Sequence, residues 1–289
     1  MCKKLLYGKM IGVLAVVLVV FMAAGVAETI TVSTAEEFVD AIGSDRTILL
    51  SDGVYNLSAA DQGEFSTDEK YWWEVEDGKQ LVLQNVSNLT IKGESPDCRI
   101  VAEPRNAYIL AFVECTGITL ENVTIGHTPE GACMSGVLFF EVCSDIQMKN
   151  CHLFGCGATG LWFDSVSDVI MENASIYDCT LEIMEVYGGY NILFKDCIFR
   201  DIIADMCAVT ISGTENFVID HCQFINVSSE FFTSYIQNAM FDVDDSSDVV
   251  VKNTDFSNNN MVNLDPSGLI SFQNNTFSGN LFDGDAYDE

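Results

Sequence analysis

The chain has 289 residues, 48% of them hydrophobic, with 43 acidic against 13 basic side chains and a formal charge of −30. So much apolar material, 19 Phe included, excludes a disordered acidic chain. The shortage of Lys and Arg excludes a nucleic-acid binder that works through phosphate contacts, and 4 Pro exclude long Pro-rich linkers.

Residues 1–9 hold Lys3, Lys4 and Lys9 and no acid, and residues 10–27 are uncharged and mostly apolar. Gly25-Val26-Ala27 then offers small residues where a signal peptidase reads. This order predicts a secretory signal peptide over 1–27, cut after Ala27, and a secreted, cell-surface or periplasmic protein. The 18 uncharged residues also sit at the lower limit for an uncleaved anchor, the one route by which a membrane is expected as partner. The mature chain keeps 10 basic against 43 acidic residues, a charge of −33.

Residues 28–45 read as an N-terminal cap. Ser33 or Thr34 is placed to cap a short helix, with Glu36 or Glu37 as reciprocal partner. Phe38, Val39, Ala41 and Ile42 give it an apolar side, and Gly43 is expected to end it. "RTILLSDGVYNLS" follows as strand, turn and strand. Residues 59–79 break the pattern with a polar, aromatic insertion holding Tyr71, Trp72 and Trp73.

From there one pattern recurs eight times. Its polar anchors are Gly93, Asn122, Asn150, Asn173, Asp196, His221, Asn253 and Asn274, at intervals of 29, 28, 23, 23, 25, 32 and 21 residues. Apolar residues stand four and two places before each anchor, from Leu89 and Ile91 to Ile270 and Phe272. Spacing of two means a strand with one buried face. The anchor is then a sharp corner in left-handed backbone, which Gly, Asn and Asp tolerate best. Three places later come Pro96, Ile125, Leu153, Ile176, Phe199, Phe224, Phe256 and Phe277, expected on a second short strand. Such repeats must stack into a solenoid, because one alone cannot bury its apolar face. The predicted fold is all-β: a right-handed parallel β-helix over 46–282 with a short N-terminal capping helix and an acidic tail at 283–289. An antiparallel sandwich would not require a polar corner at a constant offset from a buried pair.

Ten Cys remain after residue 27, and an even number in an exported chain is compatible with disulfides. Cys151, Cys197 and Cys222 follow their anchors directly, however, and Cys115 and Cys143 end equivalent strands. They are expected to stack as small buried residues, mostly reduced, because in-register side chains point in parallel. Cys98, Cys133, Cys156, Cys179 and Cys207 complete the set.

The capping segment "TAEEFVDAI", the "VSNLTIKG" coil and the "GHTPEGACMSGVLFF…NCHLFGCGATGL" coils resemble the right-handed β-helix proteins of the pectate-lyase-like superfamily, over about 30–282. They are most similar to exported bacterial members without a clear assigned activity. The superfamily includes lyases, hydrolases, isomerases and non-catalytic surface proteins, so the resemblance implies the fold and leaves the function to the site.

A hydrolase of the polygalacturonase type would carry "NTD", then paired Asp, then "GHG" and "RIK". Here Asn253-Thr254-Asp255 follows Asp244-Asp245, the wrong order, and the last two strings are absent. A lyase of the pectate type needs acidic Ca²⁺ ligands and a proton-abstracting base. Arg105 beside Glu103 suits catalysis or carboxylate binding, or else a local ion pair. His127 suits a general base, or a hydrogen bond to loop backbone. Lys149, Lys195 and Lys252 read as solvated turn residues, and His152 as a surface strand residue. Asp164, Glu182 and Glu185 share an expected outer face, either as solvated acids or with cation- or sugar-binding potential, and Tyr71, Trp72 and Trp73 suit stacking on sugar rings or, equally, packing of the insertion against the solenoid side. Asp242, Asp244, Asp245 and Asp248 form the densest acidic run, an oxygen-rich set that suits Ca²⁺. The expected function is carbohydrate or surface-partner binding without catalysis; the rival is a polysaccharide lyase or hydrolase. A net charge this negative favours a neutral glycan or a cation-assisted ligand.

Overall fold

The computed structural model describes residues 27–60, 67–128, 135–155, 158–229 and 238–282. Residues 1–26 of the expected signal peptide, part of the insertion, Cys133, Cys156 and the acidic tail lie outside them.

Three parallel sheets run the length of a solenoid. Sheet A has ten strands, sheet B nine and sheet C eight; a complete coil adds one parallel strand to each in turn, and one edge strand of sheet C is antiparallel. The anchored repeat supplies sheets A and B. In sheet A, Leu89, Ile118, Ile146, Val169, Ile192, Phe217, Val249 and Ile270 stand in one register column. Sheet B aligns Ile125, Leu153, Ile176, Phe199, Phe224, Phe256 and Phe277. Pro96 does not belong to this column; Ile100 takes its place beside Ile125, because the chain makes a longer exposed turn after Gly93. Sheet C comes from the strand before each anchored pair, such as Thr159–Asp164.

The core fills by repetition. Phe199, Phe224, Phe256 and Phe277 stack at centroid separations of 4.8, 5.0 and 4.9 Å. Phe112 and Phe140 do the same from sheet C at 4.6 Å. Each buried Phe contributes about 1.5–3 kcal/mol of transfer free energy.

Corners follow the same rule. Seven of the eight anchors, His221 included, have φ between 51° and 54°. Gly93 is the exception: a Cβ there would lie 2.1 Å from the Asn122 carbonyl, so close approach selects that glycine. Three more left-handed columns accompany the anchors. One holds Asn88, Gly117, Asp145, Asp168, Asn191, Asn216 and Asp248; a second holds Asn85, Glu114, Val142, Ser165, Gly188, Gly213 and Asp245; the last includes Asp178, Asp201, Asn226 and Asn258. Val142, with φ 52°, puts a β-branched side chain where it is sterically disfavoured.

Behind the corners, short polar side chains satisfy backbone groups of adjacent coils. All eight described Cys are buried free thiols. Cys151 donates to the Leu120 carbonyl at 3.3 Å and Cys197 to that of Met171 at 3.4 Å. Cys143 Sγ accepts from the Cys115 N–H, and Cys222 Sγ from that of Cys197. Further along the same columns hydroxyls and amides take over: Thr254 accepts from the Cys222 N–H, and Asn275 from that of Thr254. Burial pushes the Cys151 and Cys207 thiols up to about 12. These Cys serve as buried hydrogen-bonding residues of small volume.

The N-terminal end is closed by a helix. Thr34 Oγ1 accepts from the Glu37 N–H, and the Glu37 carboxylate accepts from the Ser33 N–H, so Ala35–Ala41 is a helix with a capping box. Gly43 does not terminate it in left-handed backbone; Ile42 is the C-cap. Instead Lys70 Nζ reaches the Asp40 and Ile42 carbonyls at 2.9 and 3.1 Å, and Arg46 reaches that of Ala41 at 2.9 Å. Cations at a helix C-terminus are favourably placed. Lys70 begins a strand, Lys70–Val75, that pairs antiparallel with Gly78–Gln84 and covers the edge of sheet C. Part of the insertion is therefore an ordered edge strand.

Lys149, Lys195 and Lys252 are strand residues and not turn residues. They share one outward column with their neighbours, in the order Lys92, Glu121, Lys149, Glu172, Lys195, Asp220 and Lys252. Charge alternates at every step, with contacts of 2.9 Å for Lys92–Glu121 and Lys195–Glu172 and 3.4 Å for Lys252–Asp220. Opposite charges directly across a ladder favour the native register.

Two stability changes are expected. Phe224→Ala, in the middle of the stack, should cost about 3–5 kcal/mol in chemical denaturation. Val142→Asn should raise stability by on the order of 1 kcal/mol, because Asn tolerates the left-handed backbone that Val resists; an unchanged or lower denaturation midpoint would contradict this account of the corner.

Candidate functional site on sheet C

Sheet C turns alternate residues outward. Register aligns Val82, Ala111, Phe139, Trp162, Glu185, Thr210 and Asp242 in one outer column, and Val113, Glu141, Asp164, Tyr187, Ser212 and Asp244 in the next. An aromatic track results. Ring centroids are 5.1 Å apart for Tyr108–Phe139, 6.3 Å for Phe139–Trp162 and 5.8 Å for Trp162–Tyr187. Strand alternation splits the aromatic triplet of the insertion. Trp72 packs against the core, while Tyr71 and Trp73 lie 6.4 Å apart and Trp73 is 57% exposed.

Carboxylates flank the track. Glu185 accepts from Thr159 Oγ1 and from the Tyr187 hydroxyl, both at 3.0 Å. Glu182 differs sharply from it. Its Oε2 is buried with no hydrogen-bond partner, and burial, then repulsion from Glu185, pushes its pKa up to about 8. Burial and the Glu185 charge also push the Tyr187 hydroxyl up. A carboxyl raised this far can keep its proton near neutral pH.

The other expected groups do not join this cluster. Glu103 accepts from Asn56 Nδ2 at 3.0 Å, and the Arg105 backbone N–H donates to Asp77 at 2.7 Å. His127 is 2% exposed, and its Nε2 lies 2.9 Å from the Ala107 carbonyl. Burial lowers its pKa, so the neutral ring ties down the turn above it. Asp242 and Asp244 are exposed on the outer face, whereas Asp245 and Asp248 occupy left-handed corners with φ 43° and 54°. Among the described residues no group of three or more His, Cys, Asp or Glu is arranged to hold a metal ion. No described helix is long and apolar enough to cross a membrane.

Sequence reasoning expected Asp164, Glu182 and Glu185 on one outer face; the register turns Asp164 and Glu185 outward but aligns Glu182 with the buried Thr159, and Phe139, Trp162 and Tyr187 were missed. The signal was present: Phe139, Trp162 and Glu185 are spaced at the 23-residue interval that separates three successive anchors. His152 and Ser175, also missed as a pair, stand at the same 23-residue interval.

Glu182 carries a pH signature. Its pKa is raised from 4.5, so the unfolded chain releases this proton first as pH rises. The folded state therefore loses stability from about pH 4.5 to about pH 8 and no further above that. Glu182→Gln should melt at a higher temperature than wild type, with a gap that widens across this window. Parallel melting curves would contradict a Glu182 whose Oε2 is buried without a partner.

Comparison with known proteins agrees with the coils. Curated protein sequences contain no match. Among solved structures, an alginate lyase from Paenibacillus sp. strain FPU-7 superposes with TM-score 0.66 at 15% identity, covering 90% of this chain and 97% of the other. A pectate lyase variant from Bacillus subtilis gives 0.58 at 11% identity, covering 92% and 83%. A pectin methylesterase in complex with a hexasaccharide gives 0.54 at 13% identity, covering 89% and 88%. At these identities the likeness is one of fold. The family described as "Right handed beta helix region" matches residues 82–239 and 135–287, most of the chain, and its coils are those seen here, so the protein belongs to the right-handed β-helix family.

Proposed function

We propose that this is an exported protein that binds an extended carbohydrate along the outer face of sheet C. The observation that carries the reading is the run Tyr108, Phe139, Trp162 and Tyr187, four rings aligned across successive coils. Sugar rings present apolar faces to aromatic side chains, and neighbouring polar groups orient their hydroxyls. Glu141, Asp164 and Glu185 supply acceptors beside the track. An anionic chain would be repelled by these acids unless a cation such as Ca²⁺ bridged it, so a neutral glycan fits better. The fold neighbours, by their names, include an alginate lyase, a pectate lyase and pectin methylesterases, which makes polysaccharide the natural ligand class to test.

One observation favours the catalytic reading as a second hypothesis. Glu182, with its pKa pushed up to about 8, stands beside Glu185, and an acid that keeps its proton near neutral pH is what general-acid chemistry on a glycosidic bond requires.

A glycan array, followed by incubation of hits with and without Ca²⁺, separates the two. Retention without new reducing ends or unsaturated products supports binding alone; product formation that Glu182→Gln abolishes supports catalysis. Failure to bind any glycan would sink both. Trp162→Ala should weaken glycan binding about 3- to 10-fold, the worth of one aromatic contact, measured by titration calorimetry on the best hit.

A further inference from the structure

The outer face of sheet B carries a groove of about 590 Å³, bordered by His152, Ser175, Tyr177, Asp196, Ile198 and Arg200. It lies on a different sheet from the aromatic track. His152 and Ser175 are register partners on adjacent coils, and so are Tyr177 and Arg200. His152 Nδ1 and Ser175 Oγ are 2.8 Å apart. The Arg200 guanidinium lies over the Tyr177 ring at 4.2 Å and pairs with Asp201. Burial, then the Arg200 charge, holds His152 below its ordinary pKa, so the ring is neutral. A nucleophile, a base and a cation therefore meet in one concave site.

We propose that this groove hydrolyses small acyl esters, with Ser175 as nucleophile, His152 as general base and Arg200 as the cation that faces the developing oxyanion. With its proton on Nε2, His152 accepts the Ser175 hydroxyl proton at Nδ1 while Oγ bonds to the acyl carbon. The carbonyl electron pair moves onto its oxygen. Collapse of that adduct breaks the acyl C–O bond, and the departing alkoxide takes the proton from His152. Water then attacks the acyl-serine by the same route, giving a carboxylic acid and free Ser175. The balance is ester plus water to alcohol plus acid, with no other reactant. The Ser175 backbone N–H is already committed to the Cys151 carbonyl at 2.9 Å, so oxyanion stabilisation falls to a side chain. Arg200 keeps N–H donors beyond those that face Asp201. Ser175 is only 8% exposed and Ile198 borders it, which favours a short acyl group such as acetyl.

The alternative is that the Ser175–His152 bond merely ties two coils together, and a reactivity test distinguishes them. The folded protein is treated with a fluorophosphonate and digested, and p-nitrophenyl acetate turnover is followed in parallel. The expected results are an adduct on Ser175 and turnover that falls about 100-fold or more in His152→Ala. Added imidazole should restore part of that loss, which a purely structural contact would not permit. Ser175→Ala should abolish both signals while leaving glycan retention on sheet C intact. Circular dichroism checks that each variant is folded, and if one is not, labelling of the wild type decides. Absence of a Ser175 adduct in folded wild-type protein, or an adduct unaffected by His152→Ala, would overturn the proposal.

Discussion

Everything in this protein depends on one constraint: each coil must place its strands about 4.8 Å from those of the next, in register, along three parallel sheets. A residue therefore meets its counterparts one coil before and one coil after. Side chains of like kind form columns, and a column is stable only if its members tolerate each other at that spacing. Phe rings tolerate it by stacking, as Phe199, Phe224, Phe256 and Phe277 do. Charges tolerate it by alternating sign, as from Lys92 to Lys252. Thiols, hydroxyls and amides tolerate it by passing hydrogen bonds along the axis.

The same constraint reconciles apolar content with acidity. Inward columns are almost wholly apolar, and the acids are pushed to outward columns and corners. A column of acids alone would repel itself, and the outer face of sheet C limits this: Glu141 and Asp164 are adjacent, but Tyr187 and Ser212 separate them from Asp244, and Trp162 and Thr210 flank Glu185. Glu182 is the departure from the rule, an acid drawn partly beneath the surface beside Glu185. A cost accepted at one place in an otherwise orderly lattice marks where a chemical role is to be sought.

Much of the fold is legible in the sequence, because spacing of two and a polar corner at constant offset are local properties. The anchors from Asn122 to Asn274 and the capping box at Thr34 and Glu37 follow from short-range sterics and hydrogen bonding. Pro96 misled because one longer turn shifts the count by four residues without disturbing the strands. Gly43 misled because the helix end is satisfied from a distance by Lys70, a residue of the insertion, and no local signal announces that. The site was less legible. Asp164 and Glu185 could be expected on an outer face, but the alignment of Glu182 with buried Thr159, and hence its raised pKa, depends on register and burial, which pattern alone does not report.

By itself, then, the sequence determined the periodicity, the inward and outward faces, the corner residues and the strong negative charge. These depend on residues within a few positions of one another. Only the tertiary structure decided which coils meet in register, and hence which residues become neighbours across 23 to 32 positions: Ser175 with His152, Arg200 with Tyr177, Lys252 with Asp220. Unequal loop lengths make that register invisible to simple counting, and hydrogen bonding between parallel strands is what sets it.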